Sequence, residues 1–181
     1  MMRITPLMLD SATVYPDRIE LVVDIAHSRF AFSSKSLIAA LLHTHPYLLE
    51  HTCKNERGKT FAAVAETTST PHVLEHLIID NQIRACAQVP SPQNNEGILV
   101  GTTQWDEGSD PFAGSYVDKS DVSGALQGEQ MTLKAIVRVS FFDDVAAFAA
   151  INAALAELNE LLVYSAYHLC LQHAPPLEML S

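Results

Sequence analysis

Five consecutive residues carry the strongest chemical signal in the chain: His72, Val73, Leu74, Glu75 and His76. On a helix, residues three and four apart share one face. That spacing lets the imidazoles of His72 and His76 donate nitrogens to one metal ion. It also sets the Glu75 carboxylate beside them, where it can take a proton from a water. The pattern His-x-x-Glu-His is the reverse of the His-Glu-x-x-His order carried on metalloprotease helices. Zinc is the expected ion, because it accepts imidazole ligands and lowers the pKa of a coordinated water toward ~7. Glu75 is thus the candidate general acid/base, and His72 and His76 are candidate metal ligands. Two histidines fall short of a site, since a catalytic zinc takes three protein donors and a structural zinc four. His43, His45, His51, Cys53 and Glu66 lie upstream and offer the missing donor. Each also has a plain structural role open to it: His43 at a helix end, His45 exposed, Cys53 as a small core residue. The motif has one too, as two partly buried histidines bonded to a carboxylate on a packing helix.

The elements that must position these residues are legible in outline. Residues 18–26 (RIELVVDIA) alternate as a strand. Ser33 or Ser34 caps a helix running to about His43, with Leu37, Ile38, Leu41 and Leu42 on its apolar side. Pro46 interrupts it, residues 47–53 form a short helical turn, and residues 54–59 (KNERGK) read as an exposed turn. Residues 60–67 (TFAAVAET) are a strand candidate blunted by three alanines. Thr70 caps the motif helix, Pro71 suits its first position, and it runs to about Ala87. A loop at 89–96 precedes a strand at 97–105, and a long acidic loop at 106–129 precedes the clearest strand, 131–142 (MTLKAIVRVSFF). Asp143 or Asp144 caps a final helix at 145–172 with a stripe of Phe148, Ile151, Leu155, Leu158 and Leu162. Tyr164, Tyr167 and His168 near its end are possible pocket residues, and Trp105 reads as core or rim. The order β-α-β-α-β-β-α predicts an α+β fold: a small, mostly antiparallel sheet of about four strands covered by about three helices.

Composition narrows the function classes. At 181 residues, 48% apolar and 18% charged, the chain is expected to form one globular domain, residues 1–181. Eleven Lys and Arg against 21 Asp and Glu give a net charge of −10. That balance argues against a nucleic-acid reader and is compatible with a cationic ligand. No uninterrupted apolar run of about 18 residues occurs, so no membrane-spanning helix is expected. The first ten residues lack the apolar stretch of a signal peptide. Three widely spaced cysteines are no disulfide framework, and a reducing cytoplasm is the expected location. Neither a GxxxxGK[ST] phosphate loop nor a GxSxG elbow is present.

The stretch from Leu42 to Thr103 resembles the N-terminal domain of cyanophycin synthetases and small stand-alone bacterial proteins related to it. The residues that carry the resemblance are Pro46, Leu48, Glu50, His51 and Cys53, then Phe61, then Glu66 and Thr68, then His72, Glu75, His76 and Gln82, and finally Gly101 and Thr103. It covers about a third of the chain closely. The chain departs from the family in placing His45 where a leucine is usual and Pro71 in place of a glycine. Thr102 and Gln104 stand where the family has arginines that would meet the polymer's carboxylates. The resemblance implies an α+β domain that binds an arginine-bearing polyaspartate and, in some members, hydrolyses it at the His-x-x-Glu-His site. It implies His72 and His76 as metal ligands and Glu75 as general acid/base, and it puts His51 first among candidates for the third ligand. The two ATP-dependent ligase modules of the synthetase are absent from these residues, so no polymer synthesis is expected of them.

The expected function is a metal-dependent hydrolase of a peptide or isopeptide bond. The alternative is a non-catalytic module of the same fold that binds a peptide or small molecule.

Overall fold

The computed structural model describes residues 4–88, 99–107, 109 and 133–172. Four strands form one antiparallel sheet: β1 (Leu7–Val14), β2 (Arg18–Ile25), β3 (Gly101–Trp105) and β4 (Leu133–Ser140). Their spatial order is β1-β2-β4-β3, so β2 and β4 are central. Three helices, α1 (Lys35–Leu41), α2 (Thr70–Gln88) and α3 (Asp144–Gln172), complete an α+β fold.

Alternation builds the centre of the sheet. Ile19, Leu21, Val23 and Ile25 of β2 are buried, and so are Leu133, Ala135, Val137 and Val139 of β4. The register sets them side by side, with Ile19 opposite Val139 and Leu21 opposite Val137. One apolar face results, and α2 lies on β3 and β4 with α3 packed against it. On the opposite face Arg138 pairs with Glu20 at 2.6 Å and Lys134 with Asp24 at 2.9 Å.

The helix ends follow local chemistry. Ser34 Oγ accepts from the Leu37 amide at 3.2 Å and starts α1. Asp143 accepts from the Ala146 amide at 2.8 Å and starts α3. At α2 the cap is Ser69, whose hydroxyl accepts from the His72 amide at 3.3 Å. Thr70, one residue on, instead donates its hydroxyl to the Phe30 carbonyl at 2.6 Å and ties the helix start to the preceding segment. From Val73 to Asp80 every α2 residue is buried, so the motif sits on a core helix rather than an amphipathic surface one.

Two elements differ from expectation within the same fold class. Residues 60–67 form two 3-10 turns, Phe61–Ala63 and Ala65–Thr67, instead of a strand. Only Phe61 and Ala65 are buried there, a spacing of four that suits turns and not a pleat. The fourth strand is β1, which pairs with β2 across a tight turn where the Tyr15 amide donates to the Arg18 carbonyl at 2.8 Å. It is an edge strand with only Leu7 buried, so it carries no alternation to read. The segment Asp144–Ser165 of α3 is long and apolar enough to cross a membrane by length and composition. In this fold it buries Ala147, Ile151, Ala154, Leu158 and Leu162 as core. The loop at 89–96, nearly all of the acidic loop at 106–129, and Tyr167 and His168 lie outside the residues whose side chains are described.

Candidate metal centre

The buried first turns of α2 carry His72, Glu75 and His76, as the spacing predicts. Opposite them runs residues 51–61, pinned by the Phe61 amide donating to the His51 carbonyl at 2.8 Å and the Cys53 amide donating to the Lys59 carbonyl at 3.1 Å. This clamp brings the Cys53 thiol to 3.4 Å from His72 Nε2. Phe61 stacks on the His76 ring at 4.0 Å and meets the His72 ring edge-on at 5.4 Å. Donor atoms of Cys53, His72 and His76 all lie within 4.8 Å of one another, a buried to half-buried group that could hold a metal ion.

Each histidine has one nitrogen engaged and one left for a ligand. His72 Nδ1 lies 2.7 Å from the Thr68 hydroxyl, which leaves Nε2 toward Cys53. His76 Nδ1 lies 3.4 Å from His51 Nδ1, while His76 Nε2 is buried with no hydrogen-bond partner. A buried polar atom without a partner costs free energy unless something supplies one. Burial lowers the pKa of His72, and burial together with the neighbouring His72 and His51 pushes His76 down to about 3. Both rings are therefore neutral at physiological pH, the form that binds metal. Burial, with a small contribution from the Glu75 charge, raises the Cys53 thiol against a lowering contact from Asn55. A metal would have to displace that thiol's proton on binding.

Cys53 thus takes the place expected for His51 in this donor group. His51 sits beside the group, with Nε2 at 3.2 Å from Asp80. Glu75 stands outside it too. Thr103 donates its hydroxyl to Glu75 Oε2 at 2.5 Å. Burial outweighs that hydrogen bond and pushes Glu75 up to about 7. Gly101 presses so close that a Cβ there would sit 2.5 Å from Glu75 Cγ and Oε1. Only glycine lets β3 approach the carboxylate this way. Together these residues line a cleft of about 630 Å³ that also includes Lys54, Ile79, Ile83, Val100 and Phe142.

Asp80 and Glu157 had no role in the sequence reading, and both meet His45. Asp80 joins His51 to His45, and His45 is buried rather than exposed: its Nδ1 lies 2.6 Å from Asp80 and its Nε2 2.8 Å from Glu157. A histidine and an aspartate 35 residues apart on different elements carry no local signal. His43 and Glu66 are exposed, and Gln82 donates to the Ser140 carbonyl at 3.2 Å. Trp105 packs edge-on to Phe32, a structural contact, and Tyr164 is exposed.

No protein-family model matches the chain, and no curated protein or solved structure matches it either.

Proposed function

We propose that the protein is a metal-dependent hydrolase of a peptide or isopeptide bond, with zinc held by Cys53, His72 and His76 and with Glu75 as general acid/base. The observation that carries this reading is the convergence of three donors, one of them a buried unpartnered imidazole nitrogen, in the wall of a cleft shared with Glu75. Three protein donors match the number that leaves a zinc ion an open position. Zinc, when bound, supplies Lewis acidity toward a water and a substrate carbonyl. The chain supplies the rest. Thr103 holds one oxygen of Glu75, so the other is left to take a proton from the attacking water and return it to the leaving nitrogen. A carboxyl poised near neutrality suits both transfers. Ile79, Ile83, Val100 and Phe142 add apolar surface to the cleft lining, and Lys54 is a cation on its wall.

The resemblance drawn from the sequence supports the same reading. Cys53, Phe61, Thr68, Gly101 and Thr103, quoted there as matching positions, all touch His72, Glu75 or His76. The free thiols of Cys53 and Cys86 suit a reducing cytoplasm. Elemental analysis and cleavage of a synthetic aspartyl-arginine isopeptide test the proposal. One zinc per chain, lost in His72→Ala, with cleavage abolished and zinc kept in Glu75→Gln, is the expected result. A wild-type protein without metal, or an active Glu75→Gln, overturns it.

A second reading, a non-catalytic module that binds a peptide or small molecule in this cleft, is favoured by one contact. Glu75 gives one oxygen to Thr103, packs against Gly101 and is not one of the three grouped donors. Peptide binding that is unchanged by a chelator, with no cleavage, selects it.

A further inference from the structure

Beneath the donor group runs a chain of side chains that the proposed chemistry does not use. It leads from His76 Nδ1 to His51 Nδ1 at 3.4 Å, from His51 Nε2 to Asp80 at 3.2 Å, from Asp80 to His45 at 2.6 Å, and from His45 to Glu157 at 2.8 Å. It ends where Thr44 donates its hydroxyl to Glu157 at 2.5 Å. The links come from α1's C-terminal turn, the residue-51 segment, α2 and α3, so three helices hold it in place.

The chain has a direction. A carboxylate can only accept, so His51 must carry its proton on Nε2 to bond Asp80. A neutral His51 then presents a lone pair at Nδ1. His76, facing that lone pair, must carry its proton on Nδ1, which leaves the buried Nε2 bare. The reverse arrangement would leave Nε2 just as unpartnered and would also set the lone pairs of His76 Nδ1 and His51 Nδ1 against each other at 3.4 Å, forfeiting that hydrogen bond. The Thr68 hydroxyl at His72 can donate or accept, so it orients that ring without choosing its tautomer. Asp80 makes the choice for His76.

From this geometry we infer that His51 is a positioning residue and not a metal ligand: with Asp80, braced by His45 and Glu157, it fixes His76 in the tautomer that offers Nε2 to the metal. The inference rests on the metal reading above, and it assigns His51 and Asp80 a role distinct from donation. Partners of this kind orient ligand imidazoles at metal sites, and their loss typically lowers metal affinity ~10–100-fold.

Nitrogen-15 NMR of the metal-free, full-length protein tests it before any variant is made. His76 should show one tautomer, protonated at Nδ1. A protein in which His76 is protonated at Nε2 overturns the inference whether or not metal later binds. In His51→Phe the His76 signal should become a mixture of tautomers, and zinc affinity should fall ~10–100-fold. Cobalt(II) gives the separating readout. If His51 lies outside the donor set, saturated His51→Phe keeps the wild-type thiolate charge-transfer band and visible spectrum. A changed cobalt spectrum in that variant makes His51 a ligand and refutes the assignment. So does an unchanged His76 tautomer with unchanged affinity. A wild type that binds neither ion but shows the Nδ1 tautomer sinks the metal proposal alone.

Discussion

Helix α2 holds buried imidazoles against its surface at two places, and their pKa values shift in opposite directions. On the cleft side, His72 and His76 have lowered pKa values and stay neutral. On the other side, burial also disfavours charge on His45, but the hydrogen bonds and charges of Asp80 and Glu157 outweigh it and raise the value. Both His45 and His76 are about 2% exposed. Burial therefore does not decide the charge; a carboxylate within hydrogen-bond reach does. The cleft could have failed this rule, because Glu75 precedes His76 in sequence. Thr103 and Gly101 prevent it by holding the carboxylate on the β3 side. The same residue type packed against one helix thereby has its charged form disfavoured at one place and favoured at another.

That contrast breaks most visibly in stability. His45→Ala leaves Asp80 buried without its main partner, and removing one member of a buried pair costs ~3–5 kcal/mol. His72→Ala in the metal-free protein removes a half-buried ring that touches the Thr68 hydroxyl, the Cys53 thiol and Phe61 but pairs with no charge, and should cost less, ~1–2 kcal/mol. Urea denaturation of the two variants measures the gap. Equal losses would mean that the brace is no more structural than the ligand.

The cleft side answers to a different variant. Gly101→Ala drives a methyl into Glu75, and overpacking of this kind costs ~1–3 kcal/mol. The larger consequence is chemical, because the carboxylate must move while Cys53, His72 and His76 stay where they are. Cleavage should drop steeply with zinc affinity close to wild type. A variant that loses zinc and activity together would tie Glu75 to the donor group after all.

What could be read from sequence divides along the same line. The α2 motif was visible because its spacing is local and helical, and β2 and β4 because one buried face alternates. The edge strand β1 was not, since exposure on both faces erases the pattern. In the site, His72, Glu75 and His76 came from spacing. Cys53 stood only as one donor among five, because nothing in the sequence says that the residue-51 segment turns the thiol toward His72. His51 stood first for the third donor; in the structure it sits beside the donor group with its Nε2 on Asp80, one turn beyond the motif. An Asp four residues after the second histidine was the available hint, since that spacing keeps it on the same helix face.

The smallest expected effect is a pH slope, and its sign separates the two imidazole sets. A group whose folded pKa is raised binds its proton more tightly in the native state. Its stabilisation is complete below the unfolded value, 6.5 for His45, and fades as pH rises through the folded value. Asp80 behaves oppositely. Burial raises it, but hydrogen bonds and charge from His45 and His51 hold it far below the usual 3.8, so its stabilisation is present above 3.8 and is lost only in strong acid. The groups that face His45 are Asp80, Glu157 and the Arg84 guanidinium, with His51 across Asp80. Against His45→Gln, which keeps a hydrogen bond but no charge, the wild type should hold its full advantage between about pH 4 and 6.5. That advantage should shrink above 6.5, as measured by denaturation at each pH on both proteins. A gap that instead widens up to 6.5 would put His45 in the same neutral state as His76. In that case Asp80 would not carry the charge that orders the chain of histidines.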